Sequence, residues 1–125
     1  MKKIYIFSLI FFAVSLISCE PLAADNPRKA KILVVNSYDE NLQWTGGINK
    51  AIKDTLNGDK DLECALNIEF MDTKNISTGE YFLKLRDMYA LKYKNVRFDA
   101  VISSDDDAFN FCMKYHDELF AGAPL

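Results

Sequence analysis

The sequence predicts an α/β protein built on an open, doubly wound parallel sheet with strand order 2-1-3, incomplete at the C-terminus. Three observations carry this. Strand-like apolar runs at 32–35, 66–70 and 98–102 alternate with three helical patterns, and strands separated by helices require parallel crossovers. The first run is continuously apolar while the second alternates, which separates a strand buried on both faces from one at a sheet edge. Finally, Gly122-Ala123-Pro124-Leu125 reads as a loop leading into a fourth strand, at which point the sequence stops.

The chain opens "MKKIYIFSLIFFAVSLISCEPLAADNPRK", two lysines followed by an apolar run from Ile4 to Ile17 and a polar segment. Residues 1–24 read as a secretory signal, because the apolar run falls short of the roughly 20 residues that span a bilayer. Leu16-Ile17-Ser18-Cys19 resembles a bacterial lipobox, in which Cys19 becomes the lipidated first residue. Leu22-Ala23-Ala24 suits ordinary signal peptidase, and the sequence leaves both processing sites open. Residues 25–30 read as a linker and 31–125 as one domain, since roughly 100 residues make a single modest core.

Ile32-Leu33-Val34-Val35 is apolar throughout and rich in β-branching, as suits a central strand. Trp44, Ile48, Ala51, Ile52 and Leu56 recur at helical spacing with Lys50, Lys53 and Asp54 opposite, and Asn57-Gly58 ends that helix. Leu66, Ile68 and Phe70 alternate with Asn67 and Glu69, an edge pattern. Ser77 and Glu80 have capping-box spacing ahead of a stripe of Tyr81, Phe82, Leu85, Met88 and Tyr89, which reads as core. Phe98 to Ile102 forms the third strand. A third helix places Ala108, Phe109, Cys112, His116, Leu119 and Phe120 on one face.

Right-handed crossovers and an edge position for the second strand give the order 2-1-3. The gap between strands 1 and 3 at their carboxyl ends is then the topological switch point, where open α/β sheets bind ligands. Three polar clusters converge there: Asn36-Ser37-Tyr38-Asp39, Asp72-Thr73, and Ser103-Ser104-Asp105-Asp106-Asp107. The acids at the third helix also read as ordinary caps, which satisfy free N–H groups and complement the dipole. Gly46 and Gly47 in a first helical turn each cost about 1 kcal/mol relative to Ala, tolerable where backbone or ligand approaches closely. Trp44 beside them is either a lid over the first helix or a platform for a ligand.

Composition excludes several classes. A net charge of −3 with scattered lysines offers no basic stripe, so nucleic acid is not a partner. Cys19, Cys64 and Cys112 have neither metal spacing nor a CxxC. In the 2-1-3 topology Cys64 and Cys112 lie on separate elements beyond the ~7 Å that a disulfide spans, and are expected to be unbonded. No GxSxG, P-loop or HExxH occurs, and the single histidine, His116, reads as a core or surface imidazole. No catalytic residue, metal or cofactor is expected. A receiver-like domain, with acids at Asp39-Glu40 and Asp105, is the sharper rival, and an exported domain is out of reach of a cytoplasmic kinase.

In "ILVVNSYDENLQWTGGINKAI", "IEFMDTKN", "FDAVISSDDDAFNF" and "GAPL", the chain resembles the first lobe of the periplasmic substrate-binding proteins of ABC transporters. The branch concerned also forms extracytoplasmic sensor regions of bacterial histidine kinases and diguanylate cyclases. The resemblance runs from Lys31 to Leu125 and rests on Ser37-Tyr38, Trp44-Thr45, Asp72-Thr73 and Asp105-Asp106. It implies a periplasmic binding protein-like fold whose two lobes close on a small-molecule ligand. The chain departs from that pattern by ending before the fourth strand. With Ser104 added from its place at the switch point, the expected ligand-binding set is Ser37, Tyr38, Trp44, Thr45, Asp72, Ser104, Asp105 and Asp106. The implied partners are a membrane permease or the kinase part of a sensor. The implied location is the bacterial periplasm or envelope exterior, with membrane attachment only through the signal or a lipid on Cys19. The alternatives are a truncated, inactive fragment and a metal-dependent enzyme using the aspartates.

Overall fold

The computed structural model describes residues 26–125; the signal segment and Cys19 lie outside the described residues. The elements are β1 (Arg28–Asn36), α1 (Gln43–Gly58), β2 (Leu62–Phe70), α2 (Gly79–Lys92), β3 (Ala100–Ser104) and α3 (Asp106–Leu119). The sheet is wholly parallel with order β2-β1-β3, so the fold class is the one the sequence predicts. β1 pairs with β2 from Arg28↔Leu62 to Asn36↔Phe70 and with β3 from Ile32↔Ala100 to Asn36↔Ser104. The linker expected over 25–30 is shortened, because residues 28–30 already pair with β2. The third strand sits two residues later than its apolar run. Phe98 is buried outside the strand, with its ring edge-on to Tyr93 at 5.0 Å. Asp99 locks the strand's entry by donating its N–H to Lys31 O and accepting the Lys31 N–H on its carboxylate, at 2.8 and 2.7 Å.

Alternate residues of a strand face opposite sides of the sheet, and the two sides of β1 are used differently. Leu33 and Val35 join Met71, Leu85, Tyr89, Val101, Phe111 and Cys112 in the main core under α2 and α3. Asn36, of the other parity, reaches Asn49 of α1. The side facing α1 is therefore the smaller and more polar layer.

Three helical faces differ from those the apolar periodicity predicts. α1 buries Thr45 and Asn49, with Ile48, Ile52 and Leu56 half-buried, while Trp44 and Ala51 face out. α2 is capped by Thr78, whose hydroxyl accepts from Tyr81 N–H, so the Ser77 and Glu80 pair is not a capping box. Met88 is exposed on the same helix. α3 buries Phe111 and Tyr115 in place of Phe109 and His116. This helix carries two apolar stripes that share Ala108, Cys112 and Leu119. The core selects the one that meets α2, where Phe111 lies edge-on to Tyr89 at 5.7 Å and 6.4 Å from Phe82.

After α3 the chain turns at Gly122, whose φ of +85° suits glycine. His116 Nε2 donates to Ala123 O at 2.6 Å; a carbonyl only accepts, so that nitrogen carries the proton. The Ala123 carbonyl, and then Asp117, raise the His116 pKa above its ordinary value. Pro124 O accepts from Val101 N–H at 2.8 Å on the outer edge of β3, which seats the last residues alongside that strand.

Cys64 on β2 and Cys112 on α3 are both free thiols. Burial pushes the Cys112 thiol up to about 12 and raises Cys64 as well, but Cys112 is fully enclosed and Cys64 only partly. Iodoacetamide under native conditions is expected to label Cys64 first and to reach Cys112 only when the protein unfolds. Peptide mass mapping reads the order, and a Cys64–Cys112 disulfide peptide would contradict the strand arrangement.

Candidate functional site

At the carboxyl edge α1 leaves β1 toward one face of the sheet, while α2 and α3 lie on the other. The divergence creates a crest of loops at the switch point. Ser37 is its centre. Its N–H and its Oγ both donate to Ser104 O, at 3.0 and 2.9 Å, and the same Oγ accepts the Ala108 N–H at 2.8 Å. Ser37 O in turn accepts from the N–H and the hydroxyl of Thr73, at 2.8 and 2.9 Å. One residue thus ties the end of β1 to the end of β3, to the first turn of α3 and to the β2–α2 loop.

The residues expected to bind ligand divide into two groups. Ser37 and Ser104 are brought together as the topology requires, but both are buried, as is Thr45. The Ser37 hydroxyl is wholly buried and its one proton goes to Ser104 O, so it builds the floor and is not presented to a ligand. Tyr38, Trp44, Asp72, Asp105 and Asp106 retain exposed surface. Trp44 is 62% exposed, which excludes its burial beneath α1 and leaves an open aromatic face at the helix start. An added Cβ at Gly46 would make ordinary contact with Glu40 O at 3.6 Å, and one at Gly47 would meet nothing. No close approach among the described residues demands either glycine.

Two of the aspartates hold unusual backbone conformations. Asp72 has φ +53°, and Asp105 has φ +71° with ψ 169°. The second pair of angles belongs to a region that is almost exclusively glycine's, and such residues cost of order 1–3 kcal/mol each. Asp72 is repaid locally, since its carboxylate accepts from Asn75 Nδ2 and its carbonyl from Asn75 N–H. Asp105 makes no side-chain cap to α3. Among the described residues its carboxylate accepts only the Ser104 hydroxyl, at 3.2 Å, so the capping role that the sequence offers for it is not realised. None of Asp39, Asp72, Asp105, Asp106 and Asp107 has a salt bridge among the described residues. Lys74, with its Nζ 4.8 Å from the Tyr38 ring centroid, is the cation at this crest. No group of three or more His, Cys, Asp or Glu among the described residues is arranged to hold a metal ion.

Periodicity missed the polar supports of the crest. Asn36 Nδ2 donates to Asn49 Oδ1 and to Glu69 O, while Asn36 Oδ1 and Thr45 Oγ1 are buried without partners among the described residues. Thr45 and Asn49 are four apart, so a search for buried polar residues at helical spacing finds them where an apolar count does not. Glu69 is the other omission. It reads as the exposed parity of an edge strand, yet its carboxylate accepts from Tyr93 OH and pairs with Lys92. Burial, helped by Glu69, holds the Tyr93 hydroxyl protonated well above its ordinary range. No family model, curated protein or solved structure matches the chain.

Replacing Ser37 by Ala leaves Ala108 N–H buried without its partner and removes the hydroxyl's bond to Ser104 O. The expected loss is about 2–4 kcal/mol of stability, measured by urea unfolding. Asp105→Gly relieves the backbone at the same crest and is expected to gain about 1 kcal/mol in the same assay. An equal or lower midpoint for Asp105→Gly would mean that the Asp105 side chain contributes more to the fold than its backbone costs.

Proposed function

We propose that this chain is an exported, non-catalytic small-molecule-binding domain, one lobe of a substrate-binding protein that serves a membrane permease or the kinase part of a sensor. The observation that carries the reading is Asp105. A strained, non-glycine residue sits at the switch point of an open α/β sheet, with its carboxylate unpaired by any cation among the described residues. Strain of this kind clusters where a ligand is held, and switch points are where such sheets bind.

The accessible groups suit a ligand of definite character. Carboxylates only accept hydrogen bonds, so Asp72, Asp105 and Asp106 favour hydroxyl or ammonium groups. Tyr38 and Trp44 supply flat apolar faces for the remainder of the molecule. The crest forms one wall, whereas binding pockets enclose about 70–90% of a small ligand, so affinity of the lone domain is weak. Export follows from the lysine-led apolar N-terminus, and cell fractionation that retained the protein in the cytoplasm would defeat that part.

Trp44 is the only tryptophan and reports on the crest directly. A thermal-shift screen of polyols, sugars and amines is followed by titration of each hit with Trp44 emission as the signal. Hits are expected to change that emission saturably, and Asp105→Asn to weaken them by about tenfold or more, the loss of one hydrogen bond to a charged group. Hits that stabilise the protein while leaving Trp44 emission and the Asp105→Asn affinity untouched would sink the proposal.

A further inference from the structure

His116 lies in the last turn of α3, and the chain beyond it folds back over the ring. Phe120 N–H closes the helix on His116 O at 2.8 Å, Gly122 turns the backbone, and Ala123 N–H returns to Phe120 O at 3.0 Å. The turn brings the Ala123 carbonyl to His116 Nε2 at 2.6 Å and Pro124 O to Val101 N–H at 2.8 Å. Residues 121–125 thus lie across the outer edge of β3. Ala123 is buried, but Ala121, Gly122, Pro124 and Leu125 are exposed. A segment with so little buried surface opens at low free energy, so one side-chain bond decides how firmly it is held.

That bond comes from a ring placed between two acceptors. Nε2 faces Ala123 O, and Nδ1 faces Asp117 Oδ1 at 3.2 Å. A carbonyl and a carboxylate only accept. Neutral imidazole has a single N–H, so it serves one of them and turns a lone pair on the other, whereas imidazolium serves both. The carboxyl end of α3 adds partial negative charge, which also favours the cation. The Ala123 carbonyl first, and then Asp117, accordingly raise the His116 pKa.

The other charged groups nearby are engaged elsewhere. Lys114 and Glu118 line the same groove as His116 and Asp117, but Lys114 Nζ lies over the Tyr115 ring at 5.1 Å and Glu118 accepts from Arg86. Arg97, ahead of β3, approaches the turn, 3.9 Å from where a Cβ on Gly122 would stand. Neither residues 121–125 nor Val101 carries an ionisable side chain. Asp117 is therefore the charge that acts on the ring. A raised folded-state value means that the protonated ring adds stability which is complete below the ordinary histidine value of about 6.5 and is lost as pH rises through the raised one.

We infer that residues 121–125 are a pH-sensitive strap on β3, closed while His116 is protonated at both ring nitrogens and loosened when Nδ1 gives its proton to solvent, which frees Val101 N–H at the strand's outer edge. A freed edge is a template for pairing with another strand, so the strap governs what β3 can join. The test is a ¹⁵N NMR titration between pH 5.5 and 8.5, with hydrogen-exchange protection of Val101 corrected for the intrinsic rate at each pH. His116 is expected to titrate above about 6.5, and the Ala123 and Val101 amide shifts to follow its midpoint. Val101 protection should fall by about two- to fivefold across the titration, the range of one exposed ion pair. His116→Gln should make that protection independent of pH. Asp117→Asn, at an exposed position, should move the His116 midpoint down and shrink the change at Val101. A His116 midpoint at or below the ordinary value, Val101 protection that stays constant in the unmodified protein, or a pH-dependent loss that persists in His116→Gln would each overturn the strap.

Discussion

The Ser37 hydroxyl donates to Ser104 O and accepts from Ala108 N–H, and the crest of the sheet depends on that pair of bonds. A buried hydroxyl that both donates and accepts leaves its one proton paired, and here its partners lie on a neighbouring strand and at the start of the helix that follows it. Thr73 closes the arrangement from the other side through Ser37 O. The ends of all three strands are therefore fixed relative to one another by a residue with no exposed surface. That rigidity is what allows Asp105 to keep a backbone conformation that isolated chains avoid, since strain persists only where the surroundings over-determine it.

The two faces of the sheet have different physical characters. Under α2 and α3 the contacts are apolar and aromatic, with Tyr89, Phe111, Tyr93 and Phe98 linked ring to ring. Tyr89 OH is enclosed there without a partner among the described residues, and burial raises its pKa far above the ordinary value. On α1 itself the buried side chains are Thr45 and Asn49, with its own apolar residues only partly covered. A helix that buries little apolar surface opens locally at lower free energy than one set in the main core. α1 is therefore the more adjustable element, and it carries Trp44 at its first turn. The crest therefore combines a rigid floor with an adjustable aromatic flank.

Element type and order were legible in the sequence because each rests on local pattern. The continuous run Ile32–Val35 and the alternation Leu66, Ile68, Phe70 set which strand is central and which is at the edge, and that difference is enough to fix the order 2-1-3. The convergence of residues 36–39, 72–73 and 103–107 at one edge followed from the topology alone. Within that set, the residues with free surface were not distinguishable from those that build the floor. Ser37 and Tyr38 are adjacent and equally polar in sequence, yet one is sealed and the other open.

What the sequence determined by itself is the alternation of strand and helix, the strand order and the edge at which polar residues gather, since periods of two and 3.6 residues are properties of the backbone. What only the tertiary structure decided is rotation and exposure. α3 carries one stripe through Phe109 and His116 and another through Phe111 and Tyr115, and helical spacing admits both. The choice was made by Phe82 and Tyr89 of α2, which offer rings to the second stripe. The same holds for Asp105, whose φ of +71° follows from the strand end and the helix start that it must join. Long-range packing sets both outcomes, and no residue states its distant neighbours in its own local pattern.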